Sequence, residues 1–273
     1  MEVPRIAFHA GFFTLGGKNW PMKPSALASG AASFSAPARM AKSAILSDAR
    51  AMLYVIGTPI GNLNDITLRA LEALKAADVI AAEDTRHSGN LLRHFEIRKP
   101  LVSYHEHNEA MRTAELSERL EGGETVALIT DAGMPGISDP GARLIRACIE
   151  KGLPYTIIPG VSAVLTALLG SGFPLDRFCY RGFLPVKSGG RERELRAAAE
   201  REETTVFFES PYRILKTLTA CHEIMPERLL CVAREMTKKF EEFRRGTPAE
   251  LLAHYEARPA KGEITLLVAA KNS

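Results

Sequence analysis

The stretch Val126-Ala127-Leu128-Ile129-Thr130-Asp131-Ala132-Gly133-Met134-Pro135-Gly136-Ile137-Ser138-Asp139-Pro140-Gly141 decides how the chain is read. Its first four residues form a short apolar run of the kind a buried strand shows, and from Ala142 onward apolar residues return at helical spacing. The segment between is therefore a strand-to-helix turn. Its glycines and prolines exceed what one turn requires. Glycine allows a ligand to approach the backbone closely, and proline removes a donor and leaves neighbouring groups free for a partner. Asp139 falls where a helix N-cap is expected, with Pro140 at the first helical position. Open α/β sheets bind ligands at the carboxyl ends of their strands, so a ligand loop competes here with an ordinary glycine-rich turn.

Working outward, the same arrangement repeats. Residues 52–56 read as a strand that runs into Gly57-Thr58-Pro59-Ile60-Gly61-Asn62-Leu63. Asn64 or Asp65 is placed to cap the following helix, which carries Ile66, Leu68, Leu71 and Leu74 inward. Strand 79–82 ends on Glu83-Asp84-Thr85-Arg86-His87, strand 101–103 on Tyr104-His105-Glu106-His107-Asn108, and strand 155–158 on Pro159-Gly160-Val161-Ser162-Ala163. Strands alternating with helices predict a mostly parallel sheet covered on both faces. Gly170-Ser171-Gly172-Phe173-Pro174 is a hinge candidate that divides a first domain, 52–170, from a second, 171–273. In the second, strands 178–182, 204–208, 229–233, 240–246 and 264–268 follow one another with fewer helices, which predicts a mixed sheet. A charged helix is expected over 191–203, and Ser210 with Pro211 is expected to start another. The fold class is α/β, with two α/β domains.

Composition sets the bounds. The chain has 273 residues, 46% hydrophobic and 25% charged, which is globular. No apolar run reaches the roughly 18 residues of a membrane span, and no membrane partner is expected. Cys148, Cys179, Cys221 and Cys231 are scattered, which speaks against a disulfide framework or a cysteine metal site and for a reducing compartment. Residues 1–51, rich in Ala, Ser, Gly and Pro without periodicity, read as a disordered extension. They suit either an upstream start, with Met40 or Met52 the beginning and the protein cytoplasmic, or a transit peptide and an organelle. The basic excess is concentrated there, and the remainder is close to neutral, so RNA binding would need local patches. Lys187, Arg191, Arg193 and Arg196 form one such stretch and Arg244 and Arg245 another, each diluted by neighbouring glutamates. Tyr104, His105 and Tyr212 could stack on an unpaired base. His105 and His107 lack a third ligand, so no metal is expected. No GxxxxGK[ST] phosphate loop is present.

The motifs Gly57-Thr58-Pro59-Ile60-Gly61-Asn62-Leu63, Ala82-Glu83-Asp84-Thr85-Arg86, Asp131 through Gly141, Phe208-Glu209-Ser210-Pro211 and Arg234-Glu235-Met236-Thr237-Lys238, in that order, resemble the ribosomal RNA methyltransferase branch of the tetrapyrrole methylase superfamily. The resemblance runs from Leu53 to about Ala269. It implies two α/β domains with S-adenosylmethionine in the cleft between them, usually as a homodimer. It further implies methylation of a cytidine ribose 2′-hydroxyl in small-subunit ribosomal RNA, within the assembled subunit. Carried over residue by residue, the cofactor contacts are Pro59, Asp131, Ala132, Gly133, Ile137, Ser162, Ala163, Phe208 and Ala233. Phe208 could instead be plain core, and Asp131 could only brace its loop. Met134 stands where the family often has threonine. The family commonly carries a further C-terminal helical segment that helps hold RNA, whereas this sequence ends at Ser273.

A ribose hydroxyl is a poor acid, so a base or a cation helps. Glu83 or Asp84 is expected to accept the proton, with Arg86 and Lys238 holding phosphate or polarising the oxygen; salt bridges that merely fasten loops or subunits are the alternative. Methylation of a small molecule on the same fold and a non-catalytic phosphate-binding module are the competing functions.

Overall fold

The computed structural model describes residues 51–272, and the expected disordered extension therefore lies, but for its last residue, outside the described residues. Strands β1 (Leu53–Ile56), β2 (Val79–Ala82), β3 (Leu101–Ser103), β4 (Val126–Ile129) and β5 (Tyr155–Ile158) form a parallel sheet in the order β3-β2-β4-β1-β5. Every residue of β1, β2 and β4 is buried, which is why these strands read as unbroken apolar runs rather than alternating ones. Successive side chains enter opposite faces. Tyr54, Ile56, Ile80, Ala127 and Ile129 pack with residues of α1 (Leu68–Ala76) and α2 (Thr85–His94). Leu53, Val55, Val79, Ala81 and Leu128 pack with residues of α3 (Glu109–Glu121) and α4 (Ala142–Lys151).

After β5 comes α5 (Ala163–Ser171), which packs on β8, β9 and β10 of a second sheet. That sheet holds β6 (Phe178–Phe183), β7 (Thr204–Glu209), β8 (Leu230–Arg234), β9 (Glu242–Gly246) and β10 (Ile264–Val268) in the order β6-β7-β10-β8-β9. Only β6 and β7 pair in parallel and the other neighbours are antiparallel, so the sheet is mixed, as expected. Helices α6 (Ser188–Ala199), α7 (Ile214–Ile224) and α8 (Pro248–Ala257) contribute to the core on one face. On the other face Val206, Cys231, Ala233 and Leu267 meet Val164, Ala167 and Leu168 of α5. The chain thus passes between the two sheets at residues 159–162.

Several local expectations are corrected. Asn64 and Asp65 lie inside a short 3-10 turn, and Thr67 caps α1 by accepting the Ala70 N–H at 3.1 Å. This start exposes Leu68, and Ala70, Ala73 and Leu74 are the buried residues. Asp139 is not a cap: α4 starts after Gly141, and the Pro140 carbonyl is taken by the Gly136 N–H. Ser210 heads a turn rather than a helix, its hydroxyl accepting the Tyr212 N–H, so that α7 begins only at Ile214. The charged helix runs earlier than expected, over Ser188–Ala199, and buries Arg191 and Leu195. Among the described residues no helix is long and apolar enough to cross a membrane.

Candidate active site

Three strand ends are knitted together. Thr58, after β1, and Gly133, after β4, exchange backbone hydrogen bonds of 2.9 and 3.1 Å. The Thr58 hydroxyl, buried, donates to the Thr130 carbonyl at 3.0 Å. Gly133 adopts φ +81, which a side chain would resist. The Gly57 N–H donates to Ile158 at the end of β5, and Gly57 then lies against Gly160. This is the crevice that an open parallel sheet provides at the carboxyl ends of its strands.

Above it lies a cavity of about 380 Å³, walled by the loops after β1, β4 and β5 and by residues of the second sheet. That is the size of a small-ligand pocket. Of the nine residues carried over as cofactor contacts, Ala132, Gly133, Ile137, Ser162, Ala163 and Phe208 line it. The other three do not. Pro59 sits between bridged Thr58 and cavity-lining Ile60. Ala233 is fully buried on β8, in the cluster that also holds Ala132, Ala163 and Phe208. Asp131 braces: its carboxylate accepts the Asp84 N–H at 3.2 Å, while its own N–H donates to Glu83 Oε2 at 3.4 Å. Phe208 is only partly buried, and its ring meets those of Tyr180 and Phe183 edge-on at 5.2 and 5.4 Å, so one wall of the cavity is aromatic.

None of the four residues expected to do chemistry lines the cavity. Asp84 caps α2, accepting the N–H groups of Arg86 and His87, and pairs with the Arg86 guanidinium at 3.3 Å. Those Arg86 hydrogen bonds hold its carboxyl below the usual range, so it is a weak proton acceptor. Arg86 extends into solvent with its side chain 92% exposed. Lys238 is clasped by Glu235 at 3.0 Å and Glu263 at 2.9 Å, its stem lying over Gly61. It reaches the cavity rim only through Glu263. Glu83 is pushed up by burial, partly offset by the Asp131 N–H.

Sequence reasoning missed Asp139, which lines the cavity. Burial first, then the charges of Glu83 and Asp131, push its carboxyl up to about 7. Its neighbour Ser138 sits at φ 64 and its hydroxyl lies 2.5 Å from the Tyr180 hydroxyl, fixing the turn that presents Asp139. The other two carboxylates at the cavity are committed. Glu209 is bound by Arg213 at 2.7 Å, Thr217 at 2.6 Å and the Ser210 N–H at 2.7 Å. Glu263 holds Lys238. Among the described cavity residues, Asp139 is thus the carboxylate with no hydrogen bond or ion pair. A signal for it existed in the sequence: an acidic residue directly before the Pro-Gly that opens α4, at the same sheet edge as Glu83 and Asp131. Met134 and Met236 add soft apolar lining. No group of His, Cys, Asp or Glu among the described residues is placed to hold a metal. The site can therefore receive a partly apolar cation and take up a proton near neutrality.

Comparison with known proteins agrees with this architecture. The family described as Tetrapyrrole (Corrin/Porphyrin) Methylases matches residues 52–252. The chain is 48% identical over 219 residues to the ribosomal RNA small subunit methyltransferase I of Synechocystis sp., covering 80% of this chain and 78% of that protein. The protein of the same name from Thermotoga maritima is 45% identical over 219 residues, covering 80% and 98%. Among solved structures, uroporphyrin-III-C-methyltransferase from Thermus thermophilus superimposes with a TM-score of 0.56 at 25% identity, covering 81% of this chain and 94% of that one. Diphthine synthase gives 0.66 at 17% identity, covering 81% and 90%. The chain belongs to the tetrapyrrole (corrin/porphyrin) methylase family, and its relatives within that family include the ribosomal RNA small subunit methyltransferase I proteins.

Proposed function

We propose that the protein binds S-adenosylmethionine in the cavity between its sheets and methylates a cytidine ribose 2′-hydroxyl of small-subunit ribosomal RNA. The observation that carries the reading is the convergence of the loops after β1, β4 and β5 on one cavity with an aromatic wall and an uncommitted carboxylate. The family supports methyl transfer, and the names of the relatives support ribosomal RNA as the acceptor over a tetrapyrrole. The residues fit the cofactor. A sulfonium is a cation, and the rings of Phe208 and Phe183 line the cavity, where a cation–π contact would hold it. Gly133 and Ala132 bring bare backbone to the lining.

The cofactor supplies an electrophilic methyl group. The chain's own residues position the acceptor and manage one proton. Asp139 takes the proton from the ribose hydroxyl, and burial, reinforced by the charges of Glu83 and Asp131, keeps it basic enough to do so at neutral pH. Asp131, Pro59 and Ala233 shape the loops and strand beneath the cofactor rather than touch it. Lys238 latches the 235–238 turn over Gly61 and sets Glu263 at the rim. Arg86, at the outer end of the same sheet edge, pairs with Asp84 but keeps its side chain 92% exposed, where it meets a phosphate of the RNA.

We further infer that the acceptor is the assembled small subunit in the cytoplasm and that the protein works as a homodimer. Leu165 and Leu169 stand exposed on α5 while Val164, Ala167 and Leu168 are buried, which leaves an apolar strip suited to a second copy. Calorimetry with S-adenosylmethionine, followed by labelled methyl transfer to small subunits, free ribosomal RNA and tetrapyrroles, tests the function. Tight donor binding and label in a ribose of the small-subunit RNA is the expected result; no heat at millimolar donor, or label only in a tetrapyrrole, would end it.

A further inference from the structure

Of the basic stretches that the sequence offers for RNA, Arg191, Arg244 and Arg245 are spent on the fold, whereas Lys187, Arg193 and Arg196 stay exposed at α6, interspersed with Glu192 and Glu194. Arg191 is buried and donates to the Val186 carbonyl. Arg244 pairs with Glu242 at 3.0 Å, and Arg245 donates to the Ser171 carbonyl at 2.5 Å and to the Gly170 carbonyl. On α3 and α4 most charges are matched, Arg112 and Arg119 with Glu115, Arg143 with Glu109 and Lys151 with Glu121, while Arg146 stands exposed without an ion pair among the described residues.

The edge formed by α2 and β3 differs. Helix α2 has no acidic residue and exposes Arg86, His87, Arg93 and His94. The turn that follows adds Arg98 and Lys99, with Glu96 as the one acidic residue between 85 and 99. Arg93, Arg98 and Lys99 border a hollow of about 730 Å³ beside the edge strand β3. Among the described residues none of these three makes an ion pair; Arg93 only donates to Asn90 at 3.0 Å. The backbone builds this hollow: Glu96 turns through φ 56, and the Ile97 N–H returns to the Leu92 carbonyl at 2.8 Å, which folds Arg98 and Lys99 back beside Arg93.

Placement matters as much as charge. Helix α2 starts at Asp84, whose N–H is held by Asp131 next to the cavity-lining Ala132. Its ten residues therefore lead about 15 Å away from the cleft mouth. That distance covers about four nucleotides of stacked strand at roughly 3.4 Å each. Unpaired cations on a concave surface with a single acidic residue suit phosphates, which supply most of the affinity for nucleic acid without reading sequence.

We propose that the α2–β3 edge is the track for the RNA backbone, with Arg86 nearest the reacting ribose and Arg93, Arg98 and Lys99 holding phosphates farther along the same strand. This rests on the reading of the acceptor as ribosomal RNA. The test uses the full chain, assembled small ribosomal subunits carrying labelled RNA, and salt from 50 to 200 mM. The triple variant Arg93→Ala/Arg98→Ala/Lys99→Ala is compared with wild type and with Arg193→Ala/Arg196→Ala on α6. The triple variant should bind RNA at least about tenfold more weakly, with a salt slope shallower by about two, and methyl transfer should fall with it. S-adenosylmethionine titration should be unchanged, which reports an intact fold, and Arg93→Lys/Arg98→Lys should retain binding. Equal affinity and slope in wild type and triple variant, with wild type active, would overturn the track alone. An equal loss in the α6 variant would also overturn it, because charge in general and not this edge would then be at work. Wild type that labels no RNA would remove the acceptor reading and the track together.

Discussion

A Cβ built on Gly57 would stand 2.8 Å from the Gly160 Cα and 2.6 Å from the Met134 sulfur, so the loops after β1 and β5 touch through bare backbone. The contact is reciprocal, because a Cβ on Gly160 would meet Gly57 backbone at 2.8 Å. Neither side can give way by turning a side chain. Gly57→Ala or Gly160→Ala must part the loops that floor the cavity. Each is expected to lower unfolding free energy by about 1–3 kcal/mol in urea titration and to abolish measurable donor binding. Wild-type midpoint and affinity in both variants would show that the loops can separate harmlessly.

Phe208 tests the aromatic wall. It is a half-buried ring on β7 that meets Tyr180 and Phe183 and lines the cavity. Phe208→Leu keeps apolar bulk and removes the ring face. S-adenosylmethionine should bind about two- to fivefold more weakly, as loss of about 0.5–1 kcal/mol of cation–π attraction implies. S-adenosylhomocysteine, which lacks the sulfonium charge, should be nearly unaffected. An equal loss for both ligands would mean that Phe208 serves only as packing.

Much of this was legible in the sequence, and the boundary has physical causes. β1, β2 and β4 announce themselves because strands buried on both faces must be apolar throughout. The Gly-rich turn at 130–141 marked the crevice because backbone has to approach backbone there. Phe208, Ser162 and Ala163, carried over as cofactor contacts, line the cavity. What sequence could not weigh was competition for a carboxylate. Glu83, Asp84, Asp131 and Asp139 all sit at one sheet edge, and only coordinates show that Asp84 is spent on a cap, Asp131 on a brace and Asp139 on nothing. Leu68 misled for a related reason: its helix starts after a 3-10 turn, which rotates the apolar stripe away from it.

The buried pair beneath the cavity gives a stability prediction. The Glu209 side chain is fully buried and Arg213 lies 2.7 Å away with 20% of its side chain exposed. Arg213→Ala leaves the carboxylate with Thr217 and the Ser210 N–H but no counter-charge. Breaking one side of such a pair typically costs about 3–5 kcal/mol. The urea midpoint of Arg213→Ala should drop accordingly, and Glu209→Gln added to it should recover a large part of the loss. A double variant no more stable than the single one would mean that the damage lies in Arg213's hydrogen bond to the Leu184 carbonyl instead.

As the proposed base, Asp139 would tie catalysis to pH. Its carboxyl is pushed from 3.8 to about 7 by burial and by Glu83 and Asp131, and it faces Tyr180 across Ser138. A base must be unprotonated, so kcat/KM for small subunits should rise with pH and level off above about 7. Asp139→Asn should lower the rate by about 10²–10⁴-fold, the usual worth of a general base, and abolish that rise while donor affinity persists. Stability carries the opposite sign. A raised carboxyl binds its proton more tightly folded than unfolded, so its stabilising contribution is complete below the unfolded value and fades as pH climbs from about 4 to 7. Asp139→Asn should erase this decline, which makes the variant relatively more stable at pH 8 than at pH 5. Thermal unfolding at the two pH values measures the difference. A pH-independent gap between variant and wild type, or an unchanged rate profile, would return the proton to Glu83, whose carboxyl is also raised by burial.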